Sequence, residues 1–145
     1  MPDASKPKSL LGFDYGLKQI GVANGQTLTC SASGLTILKA VDGIPNWAEV
    51  EKLLQEWAPD LVVVGLPLNM DDSESELSSR ARKFARRLQG RFAVEVEMVD
   101  ERLTSREAKM LGREQGSYDL TKIDHIAASL ILQSWLDCPA IGKAP

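Results

Sequence analysis

The sequence predicts an α/β domain with a mixed five-stranded sheet, three antiparallel strands coming first, flanked by helices. Three observations predict it. Residues 10 to 38 string together short apolar stretches and turns with no helical period. Leu61-Val62-Val63-Val64-Gly65 is a β-branched run without polar alternation, as in a strand buried on both faces. After it, apolar residues return at helical spacing, interrupted by one more strand-like run.

The elements follow in order. Leu10-Leu11-Gly12-Phe13-Asp14 reads as an apolar strand ending in an acid, and Tyr15-Gly16-Leu17-Lys18 as a turn. Gln19 to Ala23 starts the second arm of a hairpin, and Ser33 to Leu38 is the expected third strand. Asn46 caps a helix, with Glu49 three residues on in the capping-box pattern. Trp47, Val50, Leu53, Leu54 and Trp57 share its core face, opposed by Glu49, Lys52, Gln55 and Glu56. Ala58-Pro59-Asp60 breaks that helix before the buried strand from Leu61. The loop Gly65 to Met70 lies at that strand's carboxyl end, where open α/β sheets hold ligands. Ser73 with Glu76 caps the next helix, whose stripe is Leu77, Ala81, Phe84 and Leu88 and whose end is Gly90. Val94 to Val99 is a strand running into Asp100-Glu101, Thr104 with Glu107 caps a short helix to about Arg113, and Thr121 to about Asp137 is the last helix. Residues 1–9 are expected to be a disordered tail, 10–137 one domain, and 138–145 a C-terminal tail.

Composition bounds the function. The chain has 145 residues, 43% of them hydrophobic, enough for one globular core. Its longest apolar run, Leu61 to Leu68, is too short to span a bilayer, and no signal-peptide core follows the polar residues Met1 to Ser9. The expectation is a cytoplasmic protein with no membrane partner. Cys30 and Cys138 lie far apart with no CxxC spacing, which argues against a zinc site or a disulfide framework. The net charge of −3 argues mildly against a nucleic-acid partner, but the distribution matters more. From Arg80 to Arg91 there are six basic residues and no acidic one. Arg80, Arg82, Lys83, Arg86 and Arg87 spread over the arc opposite the apolar stripe, either as a nucleic-acid-binding face or as a solvated helix exterior.

Three acids sit where structure alone does not call for them. Asp14 ends an apolar strand, and either forms an Asx turn with the glycine beyond or points a carboxylate at a ligand. Glu101 follows a strand end, as a ligand or as part of a surface ion pair with Arg102. On the last helix Lys122, His125, Ser129, Gln133 and Asp137 form the polar arc, whereas Asp124 falls among Ala127, Ala128, Ile131 and Trp135. A carboxylate in that stripe needs a cation, or the backbone donors of a capping box with Thr121. A common explanation is an oxygen-rich cluster for Mg²⁺ or Mn²⁺. Two such ions can activate water and stabilise the leaving oxygen in phosphodiester hydrolysis. Asp14, Glu101 and Asp124 are thus the candidate catalytic and metal-holding residues. The sequence offers no competing set: its single histidine, His125, lies on the polar arc, and no GxSxG elbow occurs.

Four blocks in order are similar to the YqgF/RuvX family. They are Gly12-Phe13-Asp14-Tyr15-Gly16 with Ile20-Gly21-Val22-Ala23; Val64-Gly65-Leu66-Pro67-Leu68-Asn69-Met70; Asp100-Glu101-Arg102-Leu103-Thr104-Ser105; and Ile123-Asp124 with Ala127-Ala128 and Ile131-Leu132-Gln133. The resemblance runs from about Leu10 to Leu136. It implies a ribonuclease H-like fold related to the Holliday-junction resolvases and a nuclease that matures the 5′ end of pre-16S ribosomal RNA, with Asp14, Glu101 and Asp124 as its acids. Asp71-Asp72, where the family has Asp-Gly, and His125, where a small or acidic residue is usual, depart from the pattern.

Other readings stay open at the level of sequence. Cleavage of four-way DNA junctions uses the same acids, and needs a two-fold-symmetric homodimer where RNA processing could proceed with a monomer. A sugar kinase or actin-like ATPase would need a second such domain, for which the chain has no room. A non-catalytic RNA-binding or transcription-associated module would keep the fold and bind without the acids.

Overall fold

Residues 9 to 45 form four antiparallel strands. They are β1 (Ser9–Asp14), β2 (Gln19–Gln26), β3 (Ser31–Val41) and β4 (Ile44–Pro45). The structure, a computed structural model, describes residues 8–68, 71, 73–101 and 120–145, and of 120–126 the backbone only. The helix expected from Thr104 to Arg113 lies outside the described residues.

A short strand corrects the expected count of five to six. Asp42 and Gly43 both take positive φ, 49° and 79°, and fold the chain back on the end of β3. Two consecutive left-handed residues are what a tight hairpin needs, and Asp-Gly supplies them. The third strand is also longer than expected, because Leu35 is an extra residue between the partners of Val22 and Ala23 and the pairing resumes beyond it.

Helix α1 (Trp47–Trp57) starts where Asn46 accepts a hydrogen bond from the Ala48 N–H at 3.0 Å. The cap is this single bond. A capping box is not completed, because the Glu49 N–H donates to the Asn46 carbonyl and not to its side chain. Strand β5 (Leu61–Leu66) is buried at every position. It lies parallel to β1 on one side and to β6 (Val96–Asp100) on the other, giving the order β4-β3-β2-β1-β5-β6.

Helix α2 (Glu76–Phe92) begins two residues later than the Ser73 cap expected. Ser75 caps it and exchanges bonds with Ser78, while Ser73 instead donates to the Asp71 carboxylate. It also runs past Gly90, ending at Ala93 in the left-handed conformation. Glycine tolerates a helix interior at a modest entropic cost, and Leu88 beside it holds the last turns in the core.

The sheet divides the core in two. On one side Leu11, Phe13, Val62, Val64 and Met98 pack under Val50 and Leu54 of α1 and Ala81, Phe84 and Leu88 of α2. On the other, Leu10, Val63 and Val99 pack under helix α3 (Leu120–Asp137) through Ala128, Ile131, Leu132 and Trp135. The segment after α3, expected as a tail, forms a 3₁₀ turn (Pro139–Ile141) and then pairs with β6. The Met98 and Lys143 backbones exchange hydrogen bonds at 2.7 and 2.8 Å. Among the described residues no helix is long and apolar enough to cross a membrane.

Candidate active site

Three parallel strand ends meet at one edge of the sheet. Phe13 stands beside Val64, and Leu66 beside Asp100, so Asp14 and Glu101 emerge on either side of the end of β5. Glu101 continues the ladder, its N–H donating to the Leu66 carbonyl at 3.0 Å. Side chains alternate along a strand, so Asp14 shares the face of Leu10, and Glu101 that of Val99. Both belong to the α3 side. The two carboxylates are half-buried and line one open cleft with Tyr15, Gly16, Lys18, Gln19 and Leu77.

Gly65 makes room for this. A Cβ there would lie 2.5 Å from Ile131 Cδ1 and 3.6 Å from the Glu101 carboxyl carbon. On the α2 side, the buried Ser78 hydroxyl donates to the Pro67 carbonyl and fastens the helix start to the loop after β5. That bond sets Leu77 against the cleft.

Helix α3 carries the third acid. Leu132 lies over Gly25 and Gly12, and the Ala128 carbonyl over Gly12. Following the helix backward from Ile131 over Gly65 therefore leads toward the carboxyl edge, which is where its early turns carry the backbone of Asp124. The side chains of Asp124 and His125 lie outside the described residues. Among the described residues no group of three or more His, Cys, Asp and Glu side chains gathers. The helix starts at Leu120, which sets Thr121 inside the first turn instead of before it, where a capping box with Asp124 would need it.

The basic residues of α2 divide into two sets. Arg80 binds the Asp42 carboxylate at 2.9 Å, and that hydrogen bond and charge, with a smaller contribution from nearby Glu76, hold its pKa above the usual arginine value. Arg82 pairs with Glu74 and donates to the Ala144 carbonyl. These two are tied into the fold. Lys83, Arg86 and Arg87 are exposed, and Arg91 lies over the Trp47 ring, 4.7 Å from its centroid. All stand on the α1/α2 side of the sheet, opposite the face of the acids.

Sequence reasoning missed Lys18, the basic side chain in the acid cleft, though its place four residues after Asp14 in a tight turn was a usable signal. It also read Gln133 only as part of a polar arc. Gln133 accepts from the Ala32 N–H and donates to the Cys30 carbonyl, clamping α3 to the start of β3.

This architecture is the ribonuclease H-like fold of the resolvases. Thermus thermophilus RuvC, solved in complex with a Holliday junction substrate, superposes with a TM-score of 0.58 over 94% of this chain and 98% of its own at 16% identity. The fowlpox virus resolvase, solved with Holliday junction DNA, superposes at 0.56 over 89% and 97%, with 14% identity. A family model described as RuvX, Holliday junction resolvase, matches residues 8–138, and the chain belongs to that family. A Pseudomonas putida relative named "Putative pre-16S rRNA nuclease" is 59% identical over 132 residues, which cover 88% of this chain and 94% of the relative.

Proposed function

We propose that this protein is a divalent-metal-dependent endonuclease for structured nucleic acid, acting in the cytoplasm on the 5′ end of pre-16S ribosomal RNA. One observation carries the reading: Asp14 and Glu101, far apart in sequence, share one solvent-open cleft at the carboxyl edge of the sheet. The name of the Pseudomonas putida relative supports the choice of RNA.

The donor set fits Mg²⁺ or Mn²⁺. Carboxylate oxygens in a half-open cleft suit hard ions that keep several waters. Asp14, Glu101 and Asp124 would hold one such ion or, in the fuller reading, two. When bound, the ions supply positive charge to the attacking and leaving oxygens of an in-line displacement. The chain does the rest. Asp14 and Glu101 fix where cations sit relative to the substrate, Gly65 keeps space beside the Glu101 carboxyl, and Lys18 offers its ammonium to a substrate phosphate.

The test is cleavage of a precursor ribosomal RNA fragment by purified protein with Mg²⁺, Mn²⁺ or chelator. Asp14→Asn and Asp124→Asn should each lower turnover by at least about a hundredfold while the fold is kept. Parent-level cleavage in chelator, or by Asp14→Asn, overturns the reading.

A second reading, cleavage of four-way DNA junctions, is favoured by the family description and by the likeness to RuvC. It calls for a homodimer presenting two sites. A DNA junction assayed beside the RNA, with the oligomeric state measured in the same buffer, decides between them.

A further inference from the structure

A recess of about 240 Å³ opens on the α1/α2 side of the sheet, walled by Tyr15, Asp42, Trp47, Arg80, Lys83 and Arg87, with the one acid of the wall, Asp42, paired to Arg80. It is smaller than a pocket for a drug-sized cofactor, so it suits one backbone unit of a longer ligand. Among the described residues Lys83 and Arg87 take part in no ion pair, unlike Arg80 beside them. They stand four apart on α2, where like charges repel, and Arg91 extends the same row. A bound anion relieves that repulsion.

The recess is continuous with two other surfaces. Tyr15 borders both it and the acid cleft. Lys83 and Arg87 border both it and a shallow shelf formed with Arg86, Gly90 and Arg91. From Leu77 at the cleft to Arg91 on the shelf, α2 advances about 21 Å. Trp47 is already engaged by Arg91, whose guanidinium lies over its ring, and by Phe84, whose ring is stacked 5.8 Å away. Base stacking on Trp47 is therefore not how this surface grips a ligand. Phosphate contact is.

We propose that the recess and shelf form a phosphate track for an unpaired nucleic-acid strand that leaves the acid cleft over Tyr15 and turns down the outer face of α2. The turn argues for an unpaired strand. The acids face the α3 side and the track the opposite side, so the ligand must bend sharply around the sheet edge. A duplex, stiff over about 150 base pairs, resists that bend, and a single strand does not. This inference rests on the nuclease reading for the identity of the ligand and extends it to where the flanking strand lies.

The experiment measures binding alone, in Asp14→Asn protein with chelator, using fluorescent single-stranded RNA and DNA oligonucleotides and a blunt duplex, each across a salt series. Lys83→Gln with Arg87→Gln should weaken single-strand binding about tenfold and lower the salt slope by about 1.4, two contacts at about 0.7 each. Lys52→Gln, on the outer face of α1, is the charge control and should change neither. Equal loss for RNA and DNA marks pure phosphate contact, as expected here. Unchanged single-strand affinity in the double variant, or a loss confined to the duplex, overturns the track. Failure of the parent protein to cleave would overturn the nuclease reading and leave this binding result standing.

Discussion

Gly12 of β1 lies directly beneath Ala128 of α3. A Cβ on Gly12 would come 3.2 Å from the Ala128 carbonyl oxygen and 3.1 Å from Leu132 Cβ, so helix or strand would have to yield by a few tenths of an ångström. Asp14 ends that strand and Asp124 rides that helix one turn before Ala128. The contact therefore sets the spacing of two proposed metal-holding acids. Gly12→Ala should lower kcat about tenfold with KM little changed, and cost about 1 kcal/mol of stability. Steady-state kinetics beside a denaturant titration check it. An unchanged kcat would uncouple the contact from the site.

Gly90 is the opposite case. It sits within α2, and an added Cβ meets nothing within 4 Å. Gly90→Ala should stabilise the protein by about 0.5–1 kcal/mol through helix propensity and chain entropy. Thermal melts of the two glycine variants should therefore move in opposite directions.

Tyr15 gives the molecule an alkaline limit. Its hydroxyl donates to the Gly43 carbonyl at 3.0 Å, holding the β3–β4 hairpin against the first turn. Burial raises its pKa above the usual 10.0, with Asp42 adding to the rise and Arg80 and Arg87 opposing it. Because the folded state holds this proton more tightly than the unfolded chain, the contribution is complete below pH 10 and is lost as pH rises through the raised value. Tyr15→Phe should cost about 1–3 kcal/mol at neutral pH, since the buried carbonyl loses its donor. It should also flatten the fall in stability above pH 10, measured by chemical denaturation at stepped pH.

The segment after α3 seals an edge. Lys143 pairs with Met98, Ile141 packs against the α3-side core, and Arg82 reaches the Ala144 carbonyl. Deleting Pro139 to Pro145 should cost about 1–3 kcal/mol and leave β6 with unpaired backbone groups. Melting temperature should drop, and light scattering should rise with concentration. Scattering that stays flat would mean that the bare edge is otherwise protected.

Much of this was legible from residues alone, and the misses share a cause. The β-branched run from Leu61, the Asn46 cap and the face of α1 could be read because local pattern and burial agree there. The Asp42-Gly43 hairpin carried its signal but closes only a two-residue strand, too short for alternation to register. Ser75 displaced Ser73 as a cap because tertiary contact decided: Ser78 is pulled down onto the Pro67 carbonyl, and the helix starts where that bond allows. At the site, the readable signal was that Asp14 and Glu101 each stand at the end of a strand, where an α/β sheet can bring them to one edge. The division of the basic residues was not readable, since Asp42 and Glu74, which claim Arg80 and Arg82, come from other turns of the chain.

The sheet keeps the proposed cutting site and the proposed holding surface on separate sides. Lesions in one side should leave the other's energetics intact, so that paired substitutions sum when measured as free energies. Such a molecule can drift: a descendant that has lost its acids still has a surface for capturing strands, and one that has lost its arginines still has a blade.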